Sequence, residues 1–250
     1  AGQRRVGDDD DLGAELRQRD PLVDRHLGRQ HAGQAIAAPG RDQGIRLEGM
    51  NQSKTFEYAI GAYNGIARNI NVNDNDEYLY SGRVAWMPFG EYKFEESSLD
   101  RPSGPRLALG LAGLTNTVGL GASAIDVERL GYEVAFKWGG FNAQGEYFDE
   151  NAENQSNVTS DNLGYYVQAG YLFPGNKFEI AGRWESIERD TTFNVSNLGS
   201  ALKDFEGTGL GVSYYLNKHV HKIQADWFSY EDKVTGAGLD ELRVQLQVIF

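Results

Sequence analysis

Residues 240–250 read DELRVQLQVIF, and the alternation there is unbroken. Leu242, Val244, Leu246, Val248 and Phe250 share one face, while Glu241, Arg243, Gln245 and Gln247 share the other. A period of two is the signature of a β-strand with one apolar and one polar side. The pattern recurs upstream. Leu210, Val212, Tyr214 and Leu216 oppose Gly209, Gly211, Ser213 and Tyr215. Leu130, Tyr132, Val134, Phe136 and Trp138 oppose Arg129, Glu133 and Lys137. Phe178, Ile180 and Trp184 oppose Glu179, Arg183 and Glu185.

Extended outward from this terminus, the pattern predicts eleven strands. They fall near 44–50, 55–66, 78–89, 105–115, 129–138, 141–149, 163–173, 177–187, 206–216, 219–230 and 241–250. Short turns such as WGG at 138–140 and PGNK at 174–177 join some pairs. The others are joined by polar stretches read as long loops, at 67–77, 116–128, 150–162, 188–205 and 231–240. One connection, 90–104, is too long for the short class. Long loops on one rim and short turns on the other is the plan of an outer-membrane barrel. Aromatic residues gather at both rims, with Trp86, Phe89, Trp138, Phe141, Tyr171, Phe173 and Phe250 toward the turns. Tyr78, Tyr80, Tyr147, Tyr165, Trp184 and Tyr230 lie toward the loops, and such rings favour the two membrane interfaces. Strands of about ten residues suit a tilted membrane span. A soluble sandwich or sugar-binding jelly roll shares the alternation and stays open as an alternative.

The chain has 250 residues, no cysteine and a net charge of −12. Absence of cysteine excludes a disulfide framework and a thiolate metal site. The acidic balance speaks against nucleic-acid binding, which needs a basic surface. No run approaches eighteen consecutive apolar residues, so no spanning helix is expected, which leaves a barrel untouched.

Residues 1–43 differ in composition from 44–250. Through residue 44 there are seven Arg, no Lys and no aromatic residue. The block lacks a sustained period, and its charged start is not followed by an apolar core of a leader peptide. It reads as a disordered charged tail, as a product of a shifted reading frame or cloning scar, or as a functional segment.

The longer segments resemble the phosphate-selective porin O and P family. The resemblance is carried by GIRLEGM (44–50), FEYAIGAYNG (56–65), EYLYSGRVAWMPFGEYKFEESSLD (77–100) and PRLALGLAG (105–113). It continues in LGYEVAFKWGGFNAQGEYF, GYYVQAGYLFPGNKFEIAGRWE, GLGVSYYLNKHVHKIQADWF and the terminal LRVQLQVIF. The resemblance implies a trimeric sixteen-stranded barrel that passes anions across the outer membrane of a Gram-negative bacterium. It implies outer-membrane lipids and the barrel-assembly machinery as partners, with Leu242, Val244, Leu246, Val248 and Phe250 as the assembly signal. An odd strand count and a late start then imply the C-terminal part of a longer porin, with the inward-folded third loop preceding residue 44. An independent ten- or twelve-stranded barrel is the other reading.

A porin needs fixed charges along a water-filled lumen and no catalytic group or cofactor. Strand parity assigns Arg46, Arg83, Arg106, Arg129, Lys137, Arg183, Lys222 and Arg243 to the lumen. The same parity assigns Glu48, Glu57, Glu133, Glu146, Glu179, Glu185, Asp226 and Glu241. Members selective for phosphate use a ladder of arginines, whose planar fork matches phosphate oxygens. Equal numbers of acids would partly neutralise such a ladder, so the expectation is a general or weakly anion-preferring pore. His219 and His221 are too few for a metal site, and NVNDND at 71–76 lacks the glycine and terminal Glu of a calcium loop. No nucleophile motif points to catalysis. The remaining alternative is a non-channel binding or anchoring protein, either a small barrel or a carbohydrate-binding module.

Overall fold

The structure is a computed structural model, and it describes residues 9–10, 41–65, 73, 75–95, 97–190, 204–218 and 220–249. Most of 1–43 therefore lies outside the described residues, as do His219, Phe250 and part of 71–76. A two-residue antiparallel bridge pairs Asp9–Asp10 with Arg41–Asp42.

Eleven strands form one antiparallel sheet in simple meander order. They are β1 (Gly44–Met50), β2 (Phe56–Tyr63), β3 (Leu79–Trp86), β4 (Arg106–Val118), β5 (Ile125–Trp138) and β6 (Phe141–Asn154). The sheet continues with β7 (Thr159–Leu172), β8 (Phe178–Arg189), β9 (Phe205–Asn217), β10 (His221–Asp232) and β11 (Gly238–Val248). Each strand pairs with its sequence neighbours, and among the described residues β1 and β11 do not pair with each other, so the sheet is open. Among the described residues, no helix is long and apolar enough to cross a membrane.

The apolar side of the sheet is bare. Ile45, Leu111, Tyr132, Val167, Leu210, Ile223 and Leu246 all point outward and are exposed. Residues of opposite parity are covered, including Glu133, Lys137, Glu146, Glu179, Arg183, Glu185 and Lys222. A single-layer sheet covers its own side chains in this way when it curls toward them. This inversion, apolar outside and charged inside, is what lipid demands and water forbids.

Three of the five expected long loops are short. The connections are 119–124, 155–158 and 233–237, because β5, β6 and β7 each run to fourteen residues. About nine to eleven tilted residues cross the hydrocarbon layer. The apolar signal therefore ends where lipid ends, near Leu130, Tyr147 and Leu163, while the hydrogen-bond ladder carries on. Asp126↔Glu153 and Asn151↔Asp161 remain register pairs above it. The connections 64–78 and 190–204 are longer, and 66–72, 74 and 191–203 lie outside the described residues.

At the opposite end the turns are tight. Trp138 pairs with Phe141 across a two-residue turn, where Gly139 takes φ 57°, a conformation that favours glycine. The aromatic girdles form as expected at Trp86, Phe89, Trp138, Phe141, Tyr171 and Phe173 on the turn end, all exposed. Tyr78, Tyr80, Tyr147 and Trp184 are exposed at the loop end. Tyr230 is a correction. It shares the parity of Lys222 and Asp226, is 4% exposed, and stacks on Phe228 over the polar face.

Candidate functional site

Among the described residues, the polar face of the sheet is where charge gathers under cover. Every basic residue assigned by parity sits on it. Arg46 pairs with Glu48 at 2.6 Å on β1. Arg83 reaches Glu57 on one side and Glu133 on the other, each at 3.0 Å. Arg129 pairs with Glu150 at 2.5 Å. Arg183 pairs with Glu185 at 2.8 Å and donates to Gln168 at 3.0 Å, with its guanidinium 3.9 Å above the Tyr166 ring. Arg243 makes a fork with Glu241 and lies over Phe228. Such paired, planar contacts hold arginine side chains flat against the wall.

The remaining bases behave differently. Arg106 donates to the Phe89 carbonyl. Lys137 donates to the Ser97 carbonyl at 3.1 Å and lies over the Tyr92 ring. Lys222 is fully covered on β10. All three lie within two residues of the turn end of their strands.

Like charges also meet. Glu133 and Glu146 are direct register partners on β5 and β6. Two carboxylates opposite each other repel. Arg83 relieves the first, and the Tyr166 hydroxyl and the Gln144 amide donate to the second. Glu179 accepts from the Tyr215 hydroxyl at 2.5 Å and from Asn142 at 3.2 Å. The neutral residues Gln144, Asn142, Tyr166, Gln168 and Tyr215 thus complete the hydrogen-bond network of the polar face. Charge does not single them out in the sequence, although the same parity places them on this face.

Glycines at 207 and 209 are part of this surface. A Cβ at Gly209 would collide with the Phe228 ring, its register partner, and one at Gly207 would come 2.7 Å from Tyr230. The GTGLG run at 207–211 is a bed for two aromatic rings.

The two ends differ in charge. Among the described residues the loop end carries Asp126, Glu128, Asp149, Glu153, Asp161, Glu188, Glu206, Glu231 and Asp240. Arg129, Arg189 and Lys233 are the bases beside them. The turn end holds Lys54, Lys93, Arg101, Arg106, Lys137, Lys177, Lys218 and Lys222 beside fewer acids.

Of the assembly-signal positions, Leu242, Val244, Leu246 and Val248 are exposed on the outer side of β11, and Phe250 lies outside the described residues. Among the described residues no group of three or more His, Cys, Asp or Glu side chains is placed to hold a metal ion. The chemistry available to this surface is that of a charged, hydrogen-bonding wall.

Comparison with known proteins agrees with this geometry. The model of the phosphate-selective porin O and P family matches residues 111–249. The structure is similar to a porin refined at 1.8 Å resolution, with 15% sequence identity and a TM-score of 0.52. That likeness covers 83% of this chain and 62% of the other, so the chain spans less than two thirds of that porin's length. No curated protein matches. With an all-β meander, an apolar outer side, a charged inner side and a family match over more than half its residues, the chain belongs to the phosphate-selective porin O and P family of outer-membrane β-barrel proteins.

Proposed function

We propose that the chain forms the wall of a water-filled outer-membrane pore through which small polar solutes, including anions such as phosphate, diffuse passively. The carrying observation is the two-faced sheet. Its exposed side is apolar from Ile45 to Leu246, and its covered side holds Arg83, Arg129, Lys137, Arg183 and Lys222. A pore biases ion entry through fixed charges on such a lining. Arg106, Lys137 and Lys222 favour anions at the turn end. Arg83, Arg129, Arg183 and Arg243 each carry a carboxylate beside them, which offsets part of their charge. The expected result is a weak anion preference, not an exclusive one.

The same reading assigns outer-membrane lipids to the exposed side, a homotrimer to the assembled state and the barrel-assembly machinery to the apolar face of β11. The open edges of β1 and β11 are where further pairing completes the wall, because unpaired backbone groups in lipid cost several kcal/mol each. Family and fold are those of channel proteins, and the polar face has the makings of a lining and not of a catalytic centre.

The test is reconstitution of the 250-residue chain into a planar bilayer under a salt gradient. Discrete conductance steps with a reversal potential of anionic sign support the reading. Loss of the need for detergent, with a monodisperse soluble protein and no conductance, would replace it with a soluble binding module.

A further inference from the structure

The described residues of 87–105, which are all but 96, lie between β3 and β4 and do not form a turn. They leave β3 and travel along the polar face past β4, β5 and β6. Arg101 then donates from Nη1 to the carbonyls of Leu172 and Phe173, at 2.9 and 3.3 Å, at the β7–β8 turn. Four inter-strand spacings amount to about 19 Å. The segment lies outside the family-matched residues, which begin at 111.

It is docked, not draped. Tyr92 is buried against Met87, Ala108 and Ala135, the last two on the polar side of β4 and β5. Ser97 and Ser98 are fully buried. The Ser98 hydroxyl donates to the Gly139 carbonyl at 2.7 Å, and the Gly139 amide donates to the Pro102 carbonyl at 3.0 Å. Lys137 holds the Ser97 carbonyl, Arg83 faces the Phe94 ring, and Lys54 pairs with Glu91 at 2.7 Å where the segment begins. The segment is thus tied to four separate places along the turn end, and Arg101 makes the farthest tie.

We propose that residues 87–105 are a fixed strap across the turn-end mouth, pinned by Arg101, and that this strap sets the size limit of the pore there. The inference rests on the channel reading. Matter docked on the inner side of a barrel wall occupies lumen cross-section, and these contacts leave the strap no freedom to lie elsewhere. Lys93 is exposed on it beside the exposed Glu91 and Asp100, so the strap presents both signs of charge.

Two measurements test the proposal on the full chain. In planar bilayers, replacing residues 90–104 by a four-residue Gly-Ser turn is expected to raise single-channel conductance by about twofold or more. Equal conductance in the shortened and parent pores would overturn the size-limiting role. Silence from the parent protein would instead be a failure of the channel reading. The second measurement needs no current. The chain has no cysteine, so single-cysteine variants report individually. Ser97→Cys is expected to react with a maleimide at least about tenfold more slowly than Lys93→Cys, and adding Arg101→Ala should close that gap. If Ser97→Cys reacts as fast as Lys93→Cys in the parent background, the strap is not docked and the proposal falls.

Discussion

Arg83 on β3 and Glu133 on β5 are joined by a hydrogen bond of 3.0 Å across an intervening strand. Their contact passes over β4, where the register places Ala112 beside Arg83 and Gly110 beside Glu133. A Cβ at Gly110 would stand 2.8 Å from the Glu133 carboxylate. The small residues of β4 are what allow the bridge. Both side chains are almost wholly covered, at 3% and 1%.

Removing one partner leaves the other charge covered without its mate. Arg83→Ala is expected to destabilise the barrel by about 3 kcal/mol, because both Glu57 and Glu133 lose their counter-charge. Glu57→Gln should cost less, since that carboxylate is partly open to water. Thermal unfolding in detergent micelles, followed by circular dichroism, reads the difference. Equal midpoints for the two variants would contradict the bridge.

Gly209→Ala should displace the Phe228 ring, since the new methyl would occupy its place. The ring also stacks on Tyr230 and lies under Arg243, so three contacts move together. A loss of roughly 1–3 kcal/mol is expected, as for overpacking elsewhere. The double variant Gly209→Ala with Phe228→Leu should recover part of it. Absence of recovery would mean that the glycine is needed for another reason.

Converting Arg106, Arg129 and Arg183 together to Glu should move the reversal potential under a salt gradient toward cations. All three side chains are on the polar face, so six units of charge change along one wall. A reversal potential identical to that of the parent pore would remove them from the permeation path.

The acidic loop end makes a separate prediction. Asp126, Asp149 and Asp161 are exposed on the outward parity of their strands at the loop end, and on the channel reading they raise the local cation concentration there. Replacing the three by Asn should lower cation current at about 0.01 M salt, where the Debye length is about 30 Å, and change little at about 1 M, where it is about 3 Å. A difference that persists at high salt would point to a structural effect.

Glu91 is the group whose titration reports the tie between Lys54 and the start of the strap. The hydrogen bond from Lys54 holds its carboxyl below the usual carboxylate range. A carboxyl depressed on folding adds its stabilisation above the ordinary carboxylate pKa and loses it as pH falls through the lowered value. Lys54→Ala should therefore move the Glu91 titration upward, measured by carboxyl carbon chemical shifts in micelles. An unmoved midpoint would show that the pair does not form in solution.

How much of this was legible beforehand follows from what is local. Alternation along DELRVQLQVIF and its ten counterparts is a property of a single strand, so the eleven strands and their two faces could be read one at a time. The parity of Arg183 or Lys137 needs no knowledge of any other strand. Partner choice does. Arg83 and Glu133 are 50 positions apart, and only register and small neighbours on β4 bring them together. Beyond Leu130 and Tyr147 the outward positions turn polar, at Glu128, Asp126, Asp149 and Asn151, so the apolar outer face ends there although the ladder continues. Tyr230 was misplaced by its distance from a loop, when its parity already put it inside. The 90–104 connection stood out by length alone, and its course depends on carbonyls of the β7–β8 turn more than seventy residues away. The amino-acid sequence by itself determined the all-β architecture and which side of each strand meets lipid, because a period of two is imposed by the extended backbone. Tertiary structure alone decided which charges neutralise one another and where the strap lies, because those contacts depend on the register and curvature of the assembled sheet.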